Sequence, residues 1–345
     1  MQVIKIQNRF IGKNHPTYII AEIGGNFHTF ETGKKLIQKA IECGADCAKI
    51  QTFTAEKLVS KFATFNLPVV GGRKKQFKIL KDLELDKKIQ KELFKYCKKK
   101  KFTIFSTPSH KEDVDFLEEN DVCAYKLGSD DLTNIPLIRY VSKCGKPTII
   151  STGMSNIKEV REAVKTFYSM GNKNLILLHC VSMYPFEPEF TNLMAIDTMQ
   201  KEFQIPVGWS DHSKGIDVCI AAAALGANVL EKHFMLNKKS AGPDSVLSAD
   251  PDQLARLVES IRIIERAKGN GLKYPAKCEL SSRRDMRKSI VASKNIKKGT
   301  KITQEQIDIK RPGNGLYPKF VSKVIGRTAK RNILKDTVLQ MADIL

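Results

Sequence analysis

Residues 206–234 read PVGWSDHSKGIDVCIAAAALGANVLEKHF and contain a complete strand–helix–strand pattern. The apolar runs Pro206–Ser210 and Val229–Phe234 have the length and composition of buried strands, and Ile216–Leu225 between them has helical spacing. Polar residues stand at the ends of both predicted strands. Because strands joined by a helix run in parallel, this stretch predicts a parallel sheet whose carboxyl ends are polar.

The same alternation recurs along most of the chain. Eight such units within about 270 residues are typical of a (β/α)8 TIM barrel, an α/β fold in which the polar strand ends converge on one face. A doubly wound open sheet is the alternative, but Gly24-Gly25-Asn26 does not match the glycine-rich nucleotide loop expected there. The other predicted strands are Tyr18–Ile23, Cys47–Gln51, Phe102–Thr107, Ala124–Leu127, Thr148–Thr152 and Leu175–His179. Further helical stretches are Thr32–Cys43, Lys111–Glu119, Ile157–Met170 and Asp252–Ala267.

The sequence changes character after Ala267. Residues 268–271 read KGNG, which is typical of a helix end. We therefore predict a barrel domain at 1–275, a linker at 276–285 and a small β-rich domain at 286–345. A domain of that size is marginal by itself, so docking on a barrel, its own or a partner's, would help it.

Composition excludes several protein classes. Of the 345 residues, 42% are hydrophobic and 28% charged, as in ordinary soluble domains. The first residues lack a signal-peptide pattern, and no apolar run approaches the roughly 20 residues that span a bilayer. The eight cysteines form no CxxC pair, which favours reduced, buried thiols. We expect a cytoplasmic protein that does not bind membranes.

A net charge of +21 raises the question of whether the protein binds nucleic acid. The lysines are spread along the chain, and the densest run, Lys98–Lys101, stands where a helix is expected to end, a place that suits cations. No recognition motif with interleaved aromatic residues is present. We expect a solvated basic surface that helps to attract an anionic substrate. We do not expect the protein to bind nucleic acid.

His212 and His233 follow two neighbouring predicted strands and should meet on the same rim. Two imidazoles there suit a divalent transition metal with open positions for water or substrate. The alternative is a pair of hydrogen-bonded histidines, one of which acts as a general base. Glu22, on the strand that would close the barrel, could add a further ligand or a partner to a ligand.

Cations and hydroxyls occupy other strand ends. Lys126 is informative, because lysine is unusual at the end of a buried strand. Such groups could together hold a phosphate and a carboxylate. Asp244, after Gly242-Pro243, is either part of a plain turn or a hydrogen-bond acceptor for substrate hydroxyls. The strand-end groups are Lys49, Lys126, Ser129, Ser151 and Ser210.

A series of short strings occurs in a fixed order along the chain. They are Ala21-Glu22-Ile23-Gly24, Lys49-Ile50-Gln51, Ser106-Thr107-Pro108, Lys126–Ser129, Asp131–Asn134, Ser151–Met154, Leu178–Ser182, Tyr184-Pro185, Ser210–Ser213 and Glu231–Phe234. Each string alone is weak evidence, but their joint order is specific. Together they resemble the N-acetylneuraminate (sialic acid) synthase family over more than 300 residues. The tail, Arg287–Ala292 through Lys310–Gly315, resembles the family's antifreeze-like (SAF) domain.

The resemblance implies that phosphoenolpyruvate condenses with an N-acylated hexosamine and water, releasing phosphate. His212 and His233 would bind a metal, with Mn²⁺ expected and Mg²⁺ or Co²⁺ as alternatives. Glu22 would lie by the reacting centre, and Asp131 would assist ring opening or proton transfer. The implied contacts to phosphoenolpyruvate are Lys49, Thr107, Lys126, Ser129, Ser151, Ser182 and Ser210. The implied contacts to the sugar are Gln51, Tyr184, Asp244 and Arg311.

The resemblance also implies a homodimer whose SAF domains are exchanged between subunits. The sequence departs from the family where Phe27 replaces a usual histidine and His28 comes one position late. The form of residues 131–134 is closer to enzymes that make legionaminic or pseudaminic acid. The 60–80 segment, with Asn66, Gly71 and Gly72, could line the sugar pocket. Two alternatives are a sugar-phosphate synthase that uses phosphoenolpyruvate and a non-catalytic relative that binds carbohydrate or nucleic acid.

Overall fold

The computed structural model describes residues 1–25, 27–67, 72–238 and 244–345. Eight parallel strands form a closed barrel, in which each strand pairs with the next along the chain and the last pairs with the first. This confirms the predicted TIM barrel. The barrel strands are β3 (Tyr18–Glu22), β4 (Cys47–Thr52), β7 (Thr103–Pro108), β8 (Tyr125–Leu127), β9 (Thr148–Ser151), β10 (Leu175–Cys180), β11 (Val207–Asp211) and β12 (Val229–His233).

Helices surround the barrel, and their ends follow capping chemistry. They are α1 (Phe30–Glu42), α2 (Ala55–Leu58), α3 (Gln76–Leu83), α4 (Lys87–Lys100), α5 (Lys111–Glu119), α6 (Ile135–Lys143), α7 (Ile157–Ser169), α8 (Ala195–Phe203), α9 (Asp217–Ala224) and α10 (Pro251–Lys268). Asn156 and Glu159 form a capping box at the start of α7, and Asp250 and Gln253 form one at the start of α10. Lysines fill the last turn of α4, where the sequence predicted a helix end.

The barrel interior is apolar at the amino ends of the strands. There the hairpin formed by β1 (Ile4–Ile6) and β2 (Arg9–Ile11) contributes Ile4 and Ile6 to a buried cluster with Phe105. A second hairpin, β5 (Thr64–Leu67) with β6 (Gly72–Lys75), precedes α3. Because the amino end is filled with apolar side chains, the polar residues of the barrel gather at the carboxyl ends.

The chain divides into two compact units, Met1–Gly269 and Asn270–Leu345. The second unit contains α11 (Leu280–Met286), the antiparallel strands β13 (Ser289–Ala292) and β14 (Ile307–Lys310), and α12 (Val321–Val324). Its own apolar core includes Ile290, Ile302 and Leu339. Helix α11 occupies much of the stretch that we expected to be a linker.

The cysteines agree only in part with the expectation of reduced, buried thiols. All eight are free, but Cys278 is exposed, so burial is not common to all of them. No helix within the described ranges is long and apolar enough to cross a membrane.

Candidate active site

An ion pair between Glu22 and Lys49 lies inside the carboxyl end of the barrel. The two residues are register partners on β3 and β4, so their side chains point into the interior at the same level. Lys49 Nζ also donates a hydrogen bond of 3.0 Å to Thr107 Oγ1. Gln51 Nε2 donates to Glu22 Oε1 over 3.3 Å. The structure thus brings four of the predicted site residues together.

Lys126 enters the same interior from β8. Its Nζ atom donates to Ser151 Oγ over 2.7 Å and lies 3.8 Å from Glu231 Oε1. Glu231 Oε2 is 4.0 Å from Lys49 Nζ, and Ser210 Oγ donates to Glu231 Oε1 over 3.0 Å. Glu231 therefore lies between the two lysines, and all of these groups are buried.

Glu231 was not among the residues that the sequence predicted at this site. It stands two positions before His233, and alternation along a strand places both side chains on the same face. A carboxylate in a strand predicted to be buried could have identified it, since such groups are buried only when paired.

The two lysines differ in how firmly they hold a proton. Burial lowers the pKa of Lys126, the neighbouring Lys49 lowers it further, and Glu231 opposes both only in part. Burial also lowers the pKa of Lys49, but Glu22 and Glu231 outweigh it and raise the pKa above its ordinary value. Burial alone would raise the pKa of Glu231, yet the two lysines keep it low. Lys49 thus holds its proton more firmly than Lys126.

Two hydroxyls converge on Gly153 in the loop after β9. Ser129 Oγ accepts a hydrogen bond of 3.0 Å from the Gly153 N–H. A Cβ atom at position 153 would lie 2.2 Å from Ser182 Oγ and 2.9 Å from Ser129 Oγ. Glycine is required here because a side chain would push both hydroxyls aside.

His212 and His233 meet on the rim as predicted, with ring centroids 5.5 Å apart. His212 Nδ1 lies 2.8 Å from the Val181 carbonyl oxygen. That contact places a proton on Nδ1, so the neutral ring has its acceptor at Nε2. Tyr184 packs on His212 with ring centroids 4.0 Å apart.

His233 Nδ1 is buried and makes no hydrogen bond to any described residue. Asp244 Oδ2 lies 3.3 Å from it. Burial alone would raise the pKa of Asp244, but His233 and His212 lower it below its ordinary value. Asp244 is therefore an anion at neutral pH.

The two imidazoles fit a divalent metal in their chemistry. Each retains a nitrogen that makes no hydrogen bond to a described residue, and imidazole is a common ligand for such ions. Within the described ranges, no three His, Cys, Asp or Glu side chains gather as a metal-ligand group. His212 and His233 would thus hold the ion alone and leave open positions, as in catalytic rather than structural sites.

Asp131 lies in a short 3-10 turn after β8 and is almost completely buried. Burial, aided by the neighbouring Asp130, raises the pKa of Asp131 to about 7. Asn134 Nδ2 donates to Asp131 Oδ1 over 2.9 Å and only partly offsets this. Asp131 can therefore exchange a proton near neutral pH.

The other residues that the sequence singled out differ in burial and in whether the structure describes them. Arg311 belongs to the second unit, where its side chain is exposed. Phe27 is buried in the apolar core, which explains an apolar residue at this position, and His28 is exposed. Gly71, Gly242 and Pro243 lie outside the described residues, as does the side chain of Asn66.

Family comparisons agree with this architecture. The NeuB family profile matches residues 36–273, and the SAF domain profile matches residues 287–345. The chain is 38% identical to N,N'-diacetyllegionaminic acid synthase of Campylobacter jejuni, covering 94% of this chain and 99% of that protein. It is 36% identical to human N-acetylneuraminate-9-phosphate synthase, covering 96% and 93% of the two chains.

Solved structures show the same relationship. The crystal structure of N-acetylneuraminic acid synthetase from Leptospira borgpetersenii superposes with a TM-score of 0.74 at 32% identity, covering 81% of this chain and 95% of that one. A heptulosonate-phosphate synthase from Thermotoga maritima matches at 16% identity and a TM-score of 0.62, which shows a shared fold alone. The chain therefore belongs to the NeuB family, ends in a SAF domain, and is a transferase that forms a carbon–carbon bond.

Proposed function

We propose that the protein condenses phosphoenolpyruvate with an N-acylated hexosamine and water to form a nonulosonic acid and phosphate. The observation that carries the proposal is the convergence of Lys49 and Lys126 with several hydroxyls beside the His212–His233 pair. Buried cations with adjacent hydroxyls suit a small, highly charged anion. The sugar, which is the neutral reaction partner, would bind at the rim beside His212 and His233.

Phosphoenolpyruvate would enter the lysine-lined interior. Both lysines are paired with carboxylates in the protein, so the anion would compete with Glu22 and Glu231 for them. The hydroxyls that converge on Gly153 would bind the phosphate or the carboxylate group. The proposed contacts are Lys49, Thr107, Lys126, Ser129, Ser151, Ser182 and Ser210.

The sugar would lie above this anion. Gln51, Tyr184 and Asp244 are the proposed barrel contacts, and Arg311 is the proposed contact from the small domain. In the reaction the methylene carbon of phosphoenolpyruvate bonds to the aldehyde carbon of the sugar. Water adds at the adjacent carbon of phosphoenolpyruvate, which bears the phosphate, and the bond between that carbon and the phosphate oxygen breaks. The aldehyde oxygen takes up a proton, and Asp131, with a pKa of about 7, is suited to assist ring opening or proton transfer.

Glu22, which pairs with Lys49, would lie by the reacting centre. A divalent metal on His212 and His233, with Mn²⁺ as our first choice and Mg²⁺ or Co²⁺ as alternatives, would supply Lewis-acid polarisation of the aldehyde. We further propose a cytoplasmic homodimer whose SAF domains are exchanged.

The acceptor is proposed as a 2,4-diacetamido-trideoxyhexose, with N-acetylmannosamine as the alternative. The form of residues 131–134 and the likeness to the legionaminic acid synthase support this choice.

The test is a panel of acceptors incubated with phosphoenolpyruvate and Mn²⁺, read by phosphate release and product mass. Phosphate release that requires an unphosphorylated acetamido sugar supports the proposal. Release only with arabinose 5-phosphate or erythrose 4-phosphate would favour the sugar-phosphate synthase alternative. Oligonucleotide binding with steep salt dependence and no turnover would favour a non-catalytic relative.

A further inference from the structure

A second pair of opposite charges lies directly behind the two rim histidines. Asp211 precedes His212 and Lys232 precedes His233, and the two are register partners on β11 and β12. Lys232 Nζ lies 2.5 Å from Asp211 Oδ2, and both side chains are fully buried. The charged pair thus bridges the two strands one residue before the proposed metal ligands.

The pair faces away from the barrel interior. Ser210 and Glu231 point inward to Lys126, so alternation sends Asp211 and Lys232 to the opposite face. Cys219 on α9 confirms this direction, because its Sγ atom donates to Asp211 Oδ2 over 3.4 Å. The pair therefore cannot reach a substrate in the interior.

Hydrogen bonds connect this pair to the backbone of Ser213, which follows His212, and to the side chain of Trp209, which precedes it. Lys232 Nζ donates to the Ser213 carbonyl oxygen over 2.6 Å as well as to Asp211. Asp211 Oδ1 accepts from the Ser213 N–H at 3.1 Å and from Trp209 Nε1 at 3.1 Å. The residues before and after His212 are consequently tied to the residue before His233.

We propose that Asp211 and Lys232 are positioning residues that fix the separation and orientation of His212 and His233 for a divalent cation. A fully buried ion pair is seldom retained for stability, since apolar residues of similar volume often serve as well. Its place next to both histidines gives it a different role. That role rests on the proposed metal site and adds the residues that organise it.

The test is Mn²⁺ binding to the full chain, followed by electron paramagnetic resonance without substrates. The double variant Asp211→Leu/Lys232→Met removes both charges and leaves neither one unpaired. We expect it to keep its circular dichroism spectrum but to bind Mn²⁺ roughly 10- to 100-fold more weakly, the usual effect of losing groups that orient metal ligands. Wild-type affinity in this folded variant would overturn the proposal.

Asp211→Asn serves if the double variant does not fold. It keeps the side-chain volume and an oxygen for Ser213 and Trp209, and it should weaken Mn²⁺ binding by roughly 10-fold. Unchanged affinity in Asp211→Asn would also contradict the positioning role.

Two controls separate the possible failures. Arg262→Met removes a partner of the buried Asp46 at the opposite end of the barrel and should leave Mn²⁺ affinity unchanged. If it weakens binding equally, general destabilisation explains the result and the proposal fails. His233→Ala tests the metal site itself: if wild type and His233→Ala bind Mn²⁺ alike, the proposed metal site is wrong before any question of positioning arises.

Discussion

Glu231 Oε1 lies 3.8 Å from Lys126 Nζ, and the carboxylate is the nearest negative charge that supports the protonated form of this lysine. Burial and Lys49 both act against that form. The charge state of Lys126 therefore depends on Glu231, and the dependence should be visible in the pH profile of the reaction.

Glu231→Gln should move the alkaline limb of kcat/KM for phosphoenolpyruvate to lower pH. Without the carboxylate, the pKa of Lys126 falls further, so its positive charge is lost at a lower pH. A displacement of the limb by one pH unit would correspond to about 1.4 kcal/mol of lost support for the charge. Glutamine keeps the acceptor for Ser210, which makes the change largely one of charge. A pH profile that matches wild type would show that the charge of Lys126 does not depend on Glu231. The control is Glu265→Gln, on α10.

Asp131→Asn should make the apo protein more stable at alkaline pH while reducing turnover. The pKa of Asp131 is about 7 in the folded protein and about 3.9 in an unfolded chain. In wild type the stabilising effect of its proton is complete below about pH 4 and is lost as the pH rises through about 7. Asparagine does not titrate, so the variant lacks this loss. The free energy of unfolding of the variant, relative to that of wild type, should rise by at most about 1.4 kcal/mol per pH unit between the two pKa values and then level off.

The measurement is urea unfolding at several pH values for both proteins. Asp308→Asn, at an exposed site, should show no such divergence. Parallel stability curves for Asp131→Asn and wild type would mean that Asp131 is ionised throughout.

The barrel could be predicted because its signals are local and repeated. Each strand is a short apolar run that ends in polar residues, and the fold brings those ends together. Lys49, Lys126, His212 and His233 were found in this way. Glu231 belongs to one of the matching strings but was not assigned to the site, because its position between two lysines from other strands is visible only in the folded barrel.

The pKa of Asp131 and the pair Asp211–Lys232 were missed for a related reason. The pKa of Asp131 and the role of the Asp211–Lys232 pair both depend on burial. The sequence of an irregular turn or a strand end does not show which side chains are buried. The strings at residues 131–134 and 210–213 did indicate the segments in which Asp131 and Asp211 lie. Their chemistry followed only from three-dimensional contacts.

Gly153→Ala should raise the KM for phosphoenolpyruvate by about 10-fold or more, a loss of roughly 1.4 kcal/mol of binding. The new Cβ atom would overlap Ser182 Oγ and crowd Ser129 Oγ, displacing hydroxyls that we assign to the anion. The KM of the sugar should change less. Gly145→Ala is the matched control, since no other atom of the described chain lies within 4 Å of its added Cβ, although its positive φ should cost some stability. Equal KM effects of the two substitutions would contradict the assignment.

Arg311→Ala should raise the KM for the acceptor sugar more than the KM for phosphoenolpyruvate. Its side chain is exposed within the second unit and is thus free to contact a ligand. Steady-state kinetics with each substrate varied in turn will measure the two effects. Arg327→Ala, in the same unit, is the control for lost charge. Equal changes in both KM values would assign Arg311 a structural role.

His233→Ala should abolish metal-dependent turnover while the barrel remains folded. The ring contributes little to the apolar core, and its buried Nδ1 atom makes no hydrogen bond to a described residue that folding would lose. Mn²⁺ titration should show at least a roughly 10-fold loss of affinity, because one of the two imidazoles that we propose as ligands is gone. His179→Ala is the matched control, since that ring is hydrogen-bonded to the Thr191 carbonyl oxygen rather than directed to the rim. Unchanged Mn²⁺ affinity in His233→Ala would remove this residue from the metal site and restore the general-base interpretation of the histidine pair.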